Sequence, residues 1–170
     1  MMARDHRPLV LYVPTCLMGY GFYAPHNRSC EYYRFLCRVT DILATLREVQ
    51  AVIKLHDRAD HVYNPITDRL RARHSSVQVQ TGAIEPWLRR AHLVILDLPG
   101  TVLMEALAMG KRILLYARPE VWRISPEVIP LLEKATLFEQ DEAAFFDRLR
   151  HLETWAGFRP PIEMSPAAGR

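Results

Sequence analysis

The residues with the most chemical reach in this chain lie in the run Asp97-Leu98-Pro99-Gly100-Thr101-Val102-Leu103-Met104-Glu105. Leu93-Val94-Ile95-Leu96 precedes it and reads as a parallel strand buried on both faces. Asp97 ends that strand, Pro99-Gly100-Thr101 makes the turn, and Val102 to Met109 is built of strong helix formers. Gly100 or Thr101 is placed to cap the helix start. Gly110 suits the left-handed position after the helix, with cationic Lys111 beside that end. Strand end, glycine turn and helix mouth gather backbone N–H groups and the positive end of a helix dipole, which is the chemistry of anion binding. Thr101 and Glu105 are four residues apart, so they share one helix face. A hydroxyl at the mouth with a carboxylate one turn deeper suits phosphate plus ribose; the same pair also suits a capped helix and a solvated glutamate.

Other candidates sit where further strands end. After a first strand, Leu9 to Val13, a long loop from Thr15 to Ser29 holds Gly19 and Gly21 among Tyr20, Phe22 and Tyr23. Its glycines allow close backbone approach to a ligand, and Thr15 and Arg28 are suited to meet phosphate oxygens. His56 closes the second strand, on the edge where open α/β sheets bind ligands. The loop Ala117 to Arg123 is basic and aromatic and leaves the same edge, which suits either an ordinary surface loop, the default reading, or a loop whose Arg118 folds over a bound anion. His26 and Cys30 have the four-residue spacing of a helical metal pair. Asn27-Arg28-Ser29, however, reads as a helix start and no CxxC accompanies it, so no metal site is expected.

Those positions need a scaffold, and the hydrophobic pattern supplies one. Glu31 to Arg47 is an amphipathic helix with Tyr32, Phe35, Leu36, Val39, Leu43 and Leu46 on its apolar face. Val49 to Leu55 is the second strand and Pro65 to His74 a mostly polar helix. Ser76 to Gln80 alternates as a half-exposed third strand near the sheet edge. A short helix starts at Glu85. Beyond the central unit, Ile113 to Tyr116 is a strand, Pro126 to Lys134 a helix and Thr136 to Phe138 a final strand. Asp141 then caps a helix from Glu142 to Leu152. Strand and helix alternate about six times, which predicts an α/β fold: a single Rossmann-like, doubly wound, mostly parallel six-stranded sheet with helices on both faces. The expected organisation is a polar extension at 1–8, a nucleotide-binding domain at 9–152 and a proline-rich tail at 153–170.

Bulk properties narrow the function. A chain of 170 residues, 49% apolar and 24% charged, fits one domain with one core. A net charge of +3, with no dense basic run, argues against nucleic acid as a partner. No apolar stretch reaches the roughly 20 residues of a membrane span, and no signal peptide is visible. Cys16, Cys30 and Cys37 are odd in number and fit reduced thiols in the cytoplasm. Neither GxGxxG after the first strand nor GxxxxGK[ST] is present, which disfavours a dehydrogenase and a P-loop hydrolase.

In three places the chain resembles the C-terminal, donor-binding half of GT-B glycosyltransferases, most of all bacterial surface-polysaccharide transferases and their CDP-glycerol glycerophosphotransferase-like relatives. These are Leu11-Tyr12-Val13-Pro14-Thr15, Ile53-Lys54-Leu55-His56, and Ala91 to Tyr116, where Asp97 to Ala108 is similar to a D-x-P-x-T-x-L-x-E-A-like turn and helix. The resemblance implies that Gly100, Thr101 and the helix start hold a donor diphosphate and that Glu105 accepts from the ribose. It implies that backbone near Gly82, Ala83 and Ile84 reads the base edge, with Thr15 and His56 beside the phosphates. Asp97 belongs to the same nucleotide-binding set. Two departures stand out: Asp57 follows His56 where relatives continue into proline, and Pro99-Gly100 replaces serines in the turn. The implied ligand is a nucleotide-activated sugar or a CDP-polyol, with no cofactor and no metal. The general base comes from an N-terminal acceptor half, or a partner subunit, that this sequence lacks, and any membrane contact comes through that half. Two further readings remain: a non-catalytic nucleotide-binding or regulatory module, and half of a nucleotide-sugar epimerase-like enzyme.

Overall fold

Short apolar runs alternating with amphipathic stretches yield, in the computed structural model, six strands and six helices among the described residues, 7–15, 29–55 and 65–154. In chain order these are β1 (Leu9–Val13), α1 (Ser29–Thr45), β2 (Gln50–Lys54), α2 (Pro65–Arg73), β3 (Gln78–Gln80) and α3 (Glu85–Arg90). They continue with β4 (Leu93–Leu96), α4 (Thr101–Ala108), β5 (Arg112–Tyr116), α5 (Ile129–Ala135), β6 (Leu137–Glu139) and α6 (Glu142–Arg150). A 3-10 turn, Leu152–Thr154, follows. The sequence expectations at Gly19, Arg28 and His56, like Cys16 and His26, fall outside the described residues.

The sheet order is β3-β2-β1-β4-β5-β6 and every neighbouring pair is parallel. This is the doubly wound order, and it reverses direction between β1 and β4. Because a strand's side chains alternate, each buried strand feeds two cores. Val10, Tyr12, Leu93, Ile95, Leu114 and Tyr116 join α1, α2 and α6 on one face. Leu9, Leu11, Val94, Leu96, Ile113 and Leu115 join α3, α4 and α5 on the other. Continuous apolar runs such as Leu93–Leu96 are thus explained by burial on both sides.

Phe35 of α1 is the hub of the first core. Its ring lies 5.3 Å from Tyr116, 5.6 Å from Phe145 and 5.3 Å from Phe146, locking α1 to β5 and α6. On the second face α4 ends in two paired bonds. Gly110, at φ +63°, donates to the Leu107 carbonyl, and Lys111 N–H donates to that of Ala106, the Schellman pattern. The Lys111 ammonium, however, does not serve α4: it donates to the carbonyls of Arg89 and Ala91 at the end of α3. Another difference is the start of α5 at Ile129 rather than Pro126. Pro126 takes the second position of a turn closed by Val128 N–H to the Ser125 carbonyl, and Pro130 supplies the first-turn proline instead. Asp141 caps α6 as expected, accepting from Ala144 N–H at 2.7 Å.

Candidate functional site

Where the winding reverses, helices leave adjacent strands on opposite faces and nothing covers the gap between their ends. A cleft of about 480 Å³ opens there. Its walls come from the end of β1 (Val13, Pro14, Thr15), the end of β2 (Lys54, Leu55), the turn after β3 (Gly82, Ala83, Ile84) and the β4–α4 unit. That unit supplies Leu96, Leu98, Gly100, Thr101, Val102 and Glu105. Most of the lining is apolar, with a few polar groups set in it, the usual make-up of a small-molecule site.

The β4–α4 turn shapes one wall. Gly100 is the N-cap of α4, and no side chain caps the helix. Thr101 is therefore the first helical residue, not the cap, and it is an exposed residue at the mouth of the cleft. A Cβ on Gly100 would sit 3.2 Å from Cγ and Cδ2 of Leu98, which also lines the cleft, so glycine lets the two approach. Glu105 follows one turn deeper on the same face, half-buried. On the far side Gly82 turns the chain at φ +85°, a left-handed conformation that favours glycine.

Asp97 does something the sequence does not show. Its carboxylate is buried and accepts four hydrogen bonds. Tyr12 and Tyr32 hydroxyls donate to Oδ2 at 2.7 and 2.6 Å, and the Thr15 N–H and hydroxyl donate to Oδ1 at 2.7 and 2.8 Å. The Tyr32 hydroxyl also lies 2.8 Å from the Thr15 carbonyl. Burial pushes the Asp97 carboxyl above its ordinary value although these four bonds oppose it. Burial, with Asp97 alongside, pushes both tyrosines well up, so their hydroxyls stay protonated donors. Four donors fill the acceptor positions of a carboxylate. Asp97 is therefore a clasp between β1, α1 and β4 rather than a ligand contact. The same bonds correct the reading of Thr15: it lines the cleft, but its N–H and its hydroxyl proton both go to Asp97. Toward a ligand it offers lone pairs, not a donor for phosphate.

A family model described as LIC12162 family transferase matches residues 2–144. The chain belongs to that family. No curated protein matches it in sequence. Among solved structures it is similar to the spinosyn rhamnosyltransferase SpnG. The TM-score is 0.59 at 16% identity for SpnG alone, over 89% of this chain and 37% of that one. It is 0.58 at 16% with spinosyn aglycone, over 87% and 36%. With thymidine diphosphate it is 0.58 at 17%, over 89% and 38%. At that identity the likeness is one of fold: this LIC12162 family transferase has the architecture of half a GT-B glycosyltransferase, and it spans little more than a third of the length of these structures.

Of the residues singled out in the sequence, Thr15, Gly82, Ala83, Ile84, Gly100, Thr101 and Glu105 meet in one cleft. Arg118 does not. It lines a separate depression with Glu31, Arg34 and Arg38, and its guanidinium lies 3.8 Å from Glu142. The strand it follows, β5, lies beyond β4 from the reversal point, so this loop leaves toward α1 and α6. Lys54 is a further cleft residue, not among the sequence candidates although it stands in the segment of resemblance. Its signal was a single charge ending the apolar run Ala51-Val52-Ile53, at the ligand edge of the sheet. Among the described residues no group of three or more His, Cys, Asp or Glu side chains is placed to hold a metal ion.

Proposed function

We propose that this chain is the donor-nucleotide-binding, C-terminal half of a glycosyltransferase or glycerophosphotransferase-like enzyme of bacterial surface-polysaccharide synthesis. Its ligand is a nucleotide-diphosphate sugar or a CDP-polyol, held in the cleft at the reversal point. The observation that carries this reading is the meeting of three sequence-distant segments, Val13–Thr15, Gly82–Ile84 and Gly100–Thr101 with Glu105, around one volume of about 480 Å³. That volume falls inside the range of small-ligand sites. The thymidine diphosphate named with SpnG supports the choice of ligand class.

In this role the uncapped start of α4 receives the diphosphate through backbone N–H groups. Glu105 accepts from ribose hydroxyls, and the Gly82–Ile84 backbone reads the edge of the base. Thr15, its proton engaged by Asp97, accepts from a hydroxyl of the donor rather than giving one to phosphate. During transfer the acceptor oxygen bonds to the sugar carbon as the nucleoside diphosphate departs; with a CDP-polyol it bonds to phosphorus as CMP departs. The acceptor proton passes to a base from the acceptor half, carried on a longer chain or a partner subunit. Negative charge accumulates on the leaving group, and each oriented donor facing it contributes about 2–4 kcal/mol of transition-state stabilisation. On this reading the chain works in the cytoplasm, and any membrane contact lies in the acceptor half.

Calorimetric titration of the chain with UDP, CDP, GDP, ADP and thymidine diphosphate tests the assignment. One of them should bind in the micromolar range, and the preferred base separates a CDP-polyol donor from a sugar nucleotide. Binding of none below the millimolar range refutes it.

A further inference from the structure

The proton of one hydroxyl decides what the β1 wall of the cleft can recognise. Thr15 lines the cleft at the end of β1, and both of its donors go to Asp97 Oδ1, the N–H at 2.7 Å and the hydroxyl at 2.8 Å. A threonine hydroxyl has one proton and two lone pairs, so Oγ1 is left as an acceptor. Protonation of Asp97 does not reverse this, because a proton on Oδ2 leaves Oδ1 an acceptor. The Tyr12 and Tyr32 hydroxyls, 2.7 and 2.6 Å from Oδ2, keep the carboxylate from turning away. The wall therefore disfavours phosphate oxygens, which are themselves acceptors, and favours an O–H or N–H of the ligand.

Position in the sheet narrows the partner. Val13 pairs with Leu96 across the β1–β4 ladder, so Thr15 stands level with the turn that carries Gly100. The Gly82–Ile84 turn follows β3, two strands away on the other side of β2. Neighbouring strands lie about 4.8 Å apart, which puts the β1 end about one spacing from the diphosphate and about two, roughly 10 Å, from the base. The N–H groups of a base are thus out of reach of Thr15, and the ribose hydroxyls belong to Glu105. A hydroxyl on the group attached to the outer phosphate remains. We infer that Thr15 is a specificity-determining residue for the transferred group: its Oγ1 accepts from a hydroxyl of a sugar or polyol esterified to the diphosphate. Such a contact separates the loaded donor from the free nucleotide. Asp97 is the positioning residue that fixes the direction of the Thr15 proton. The inference rests on the donor-site reading above, and its test separates the two.

Calorimetric titration compares the free nucleoside diphosphate that binds tightest of the five with its glucosyl and glyceryl esters. Each is titrated into wild type, Thr15→Val and Thr15→Ser. Valine is close to threonine in shape and has no lone pair to offer; serine keeps the hydroxyl. The main-chain bond from residue 15 to Asp97 does not depend on this side chain. A neutral hydrogen bond corresponds to about a 3- to 10-fold change in affinity. Thr15→Val should lose about that factor for at least one ester, with the free diphosphate held within about twofold, and Thr15→Ser should bind both as wild type does. A merely structural role would weaken ester and free nucleotide alike. Equal losses for the two, or no loss for either, overturn the role of Thr15, and micromolar binding of the free diphosphate then leaves the donor site standing. No binding of any of these ligands to wild type overturns both readings. If Thr15→Val does not fold, the wild-type chain decides. The glucosyl or glyceryl ester should bind more tightly than its hydroxyl-free counterpart, the cyclohexyl or propyl ester, and equal affinities refute the inference.

Discussion

Asparagine at position 97 is the sharpest test of the clasp at the mouth of the cleft. Asp97→Asn changes one oxygen to an NH2 group and leaves shape and volume nearly intact. The remaining oxygen can serve Thr15, whose N–H and hydroxyl donate from 2.7 and 2.8 Å. The new NH2 then faces the Tyr12 and Tyr32 hydroxyls, which lie 2.7 and 2.6 Å from Oδ2. Tyr32 has a second acceptor in the Thr15 carbonyl at 2.8 Å, and Tyr12 has a hydrogen-bond neighbour in the Tyr32 hydroxyl. A hydrogen bond to a charged group contributes about 1.5–3 kcal/mol, and relief of the buried charge offsets part of the loss. A net cost of about 2–3 kcal/mol at neutral pH follows, a fall in Tm of about 4–12 °C for a domain of this size. Urea unfolding followed by far-UV circular dichroism reads it, with an unchanged m-value showing that only stability moved. The pH dependence carries a sign of its own. Burial raises the Asp97 carboxyl above its ordinary 3.8, so its contribution is full below that value and declines as pH rises through the folded-state value. The cost of Asp97→Asn should therefore be larger at mildly acid pH than at pH 8. Tyr12→Phe should cost about 1 kcal/mol less in the Asp97→Asn background than in wild type, since the partner is already gone. A Tm within about 2 °C of wild type, or a cost that grows with pH, refutes the clasp.

Two other outcomes can be checked directly. Glu105→Ala should weaken a bound nucleoside diphosphate about tenfold, one hydrogen bond to a carboxylate, and leave inorganic pyrophosphate unchanged; equal losses would contradict contact with ribose. His92 accepts the Leu9 N–H on Nδ1 at 3.0 Å, and burial, with Lys111 nearby, holds its imidazole below the ordinary 6.5. A depressed value means stability present above 6.5 and lost as pH falls through the folded-state value. His92→Gln should accordingly flatten the fall in Tm between pH 7.5 and 5.5, and an unaltered slope would show that another group is responsible.

Much of the fold is readable in the chain because several elements announce their own ends. Leu93–Leu96 is bounded by Asp97-Leu98-Pro99, α6 by the Asp141 cap, and α4 by Gly110. Local chemistry of that kind is written in adjacent residues. What escapes reading is set by partners far away in sequence. Asp97 looks like a strand-end carboxylate at the ligand edge, and nothing nearby says that Tyr12, 85 positions away, and Tyr32, 65 positions away, will take it up. Tyr32 itself reads as one more core aromatic of α1, and its ring is buried there, yet its hydroxyl crosses to β4. Arg118 shows a different limit. Strand order decides which edge a loop leaves from, but the gap beside which it lands depends on where its strand sits in the sheet. Lys54 is legible in type and place, but a charge at the end of an apolar run also serves as an ordinary strand exit.

These two kinds of information meet at the reversal point. β1 and β4 are neighbours in the sheet but are separated by nearly half of the chain, and the helices that follow them pack into different cores, α1 in one and α4 in the other. The β1–β4 ladder pairs the two strands as far as Val13 and Leu96, and just beyond it four hydrogen bonds to one carboxylate join Tyr12 and Thr15 of the β1 end and Tyr32 of α1 to the start of the β4–α4 turn. A polar network thus braces the rim of the opening that topology leaves uncovered, at the energetic disadvantage of a buried charge. Such a network relaxes before the cores do when it is weakened. Loosening it at Asp97 should therefore impair ligand binding in the cleft at temperatures where both halves of the sheet remain folded.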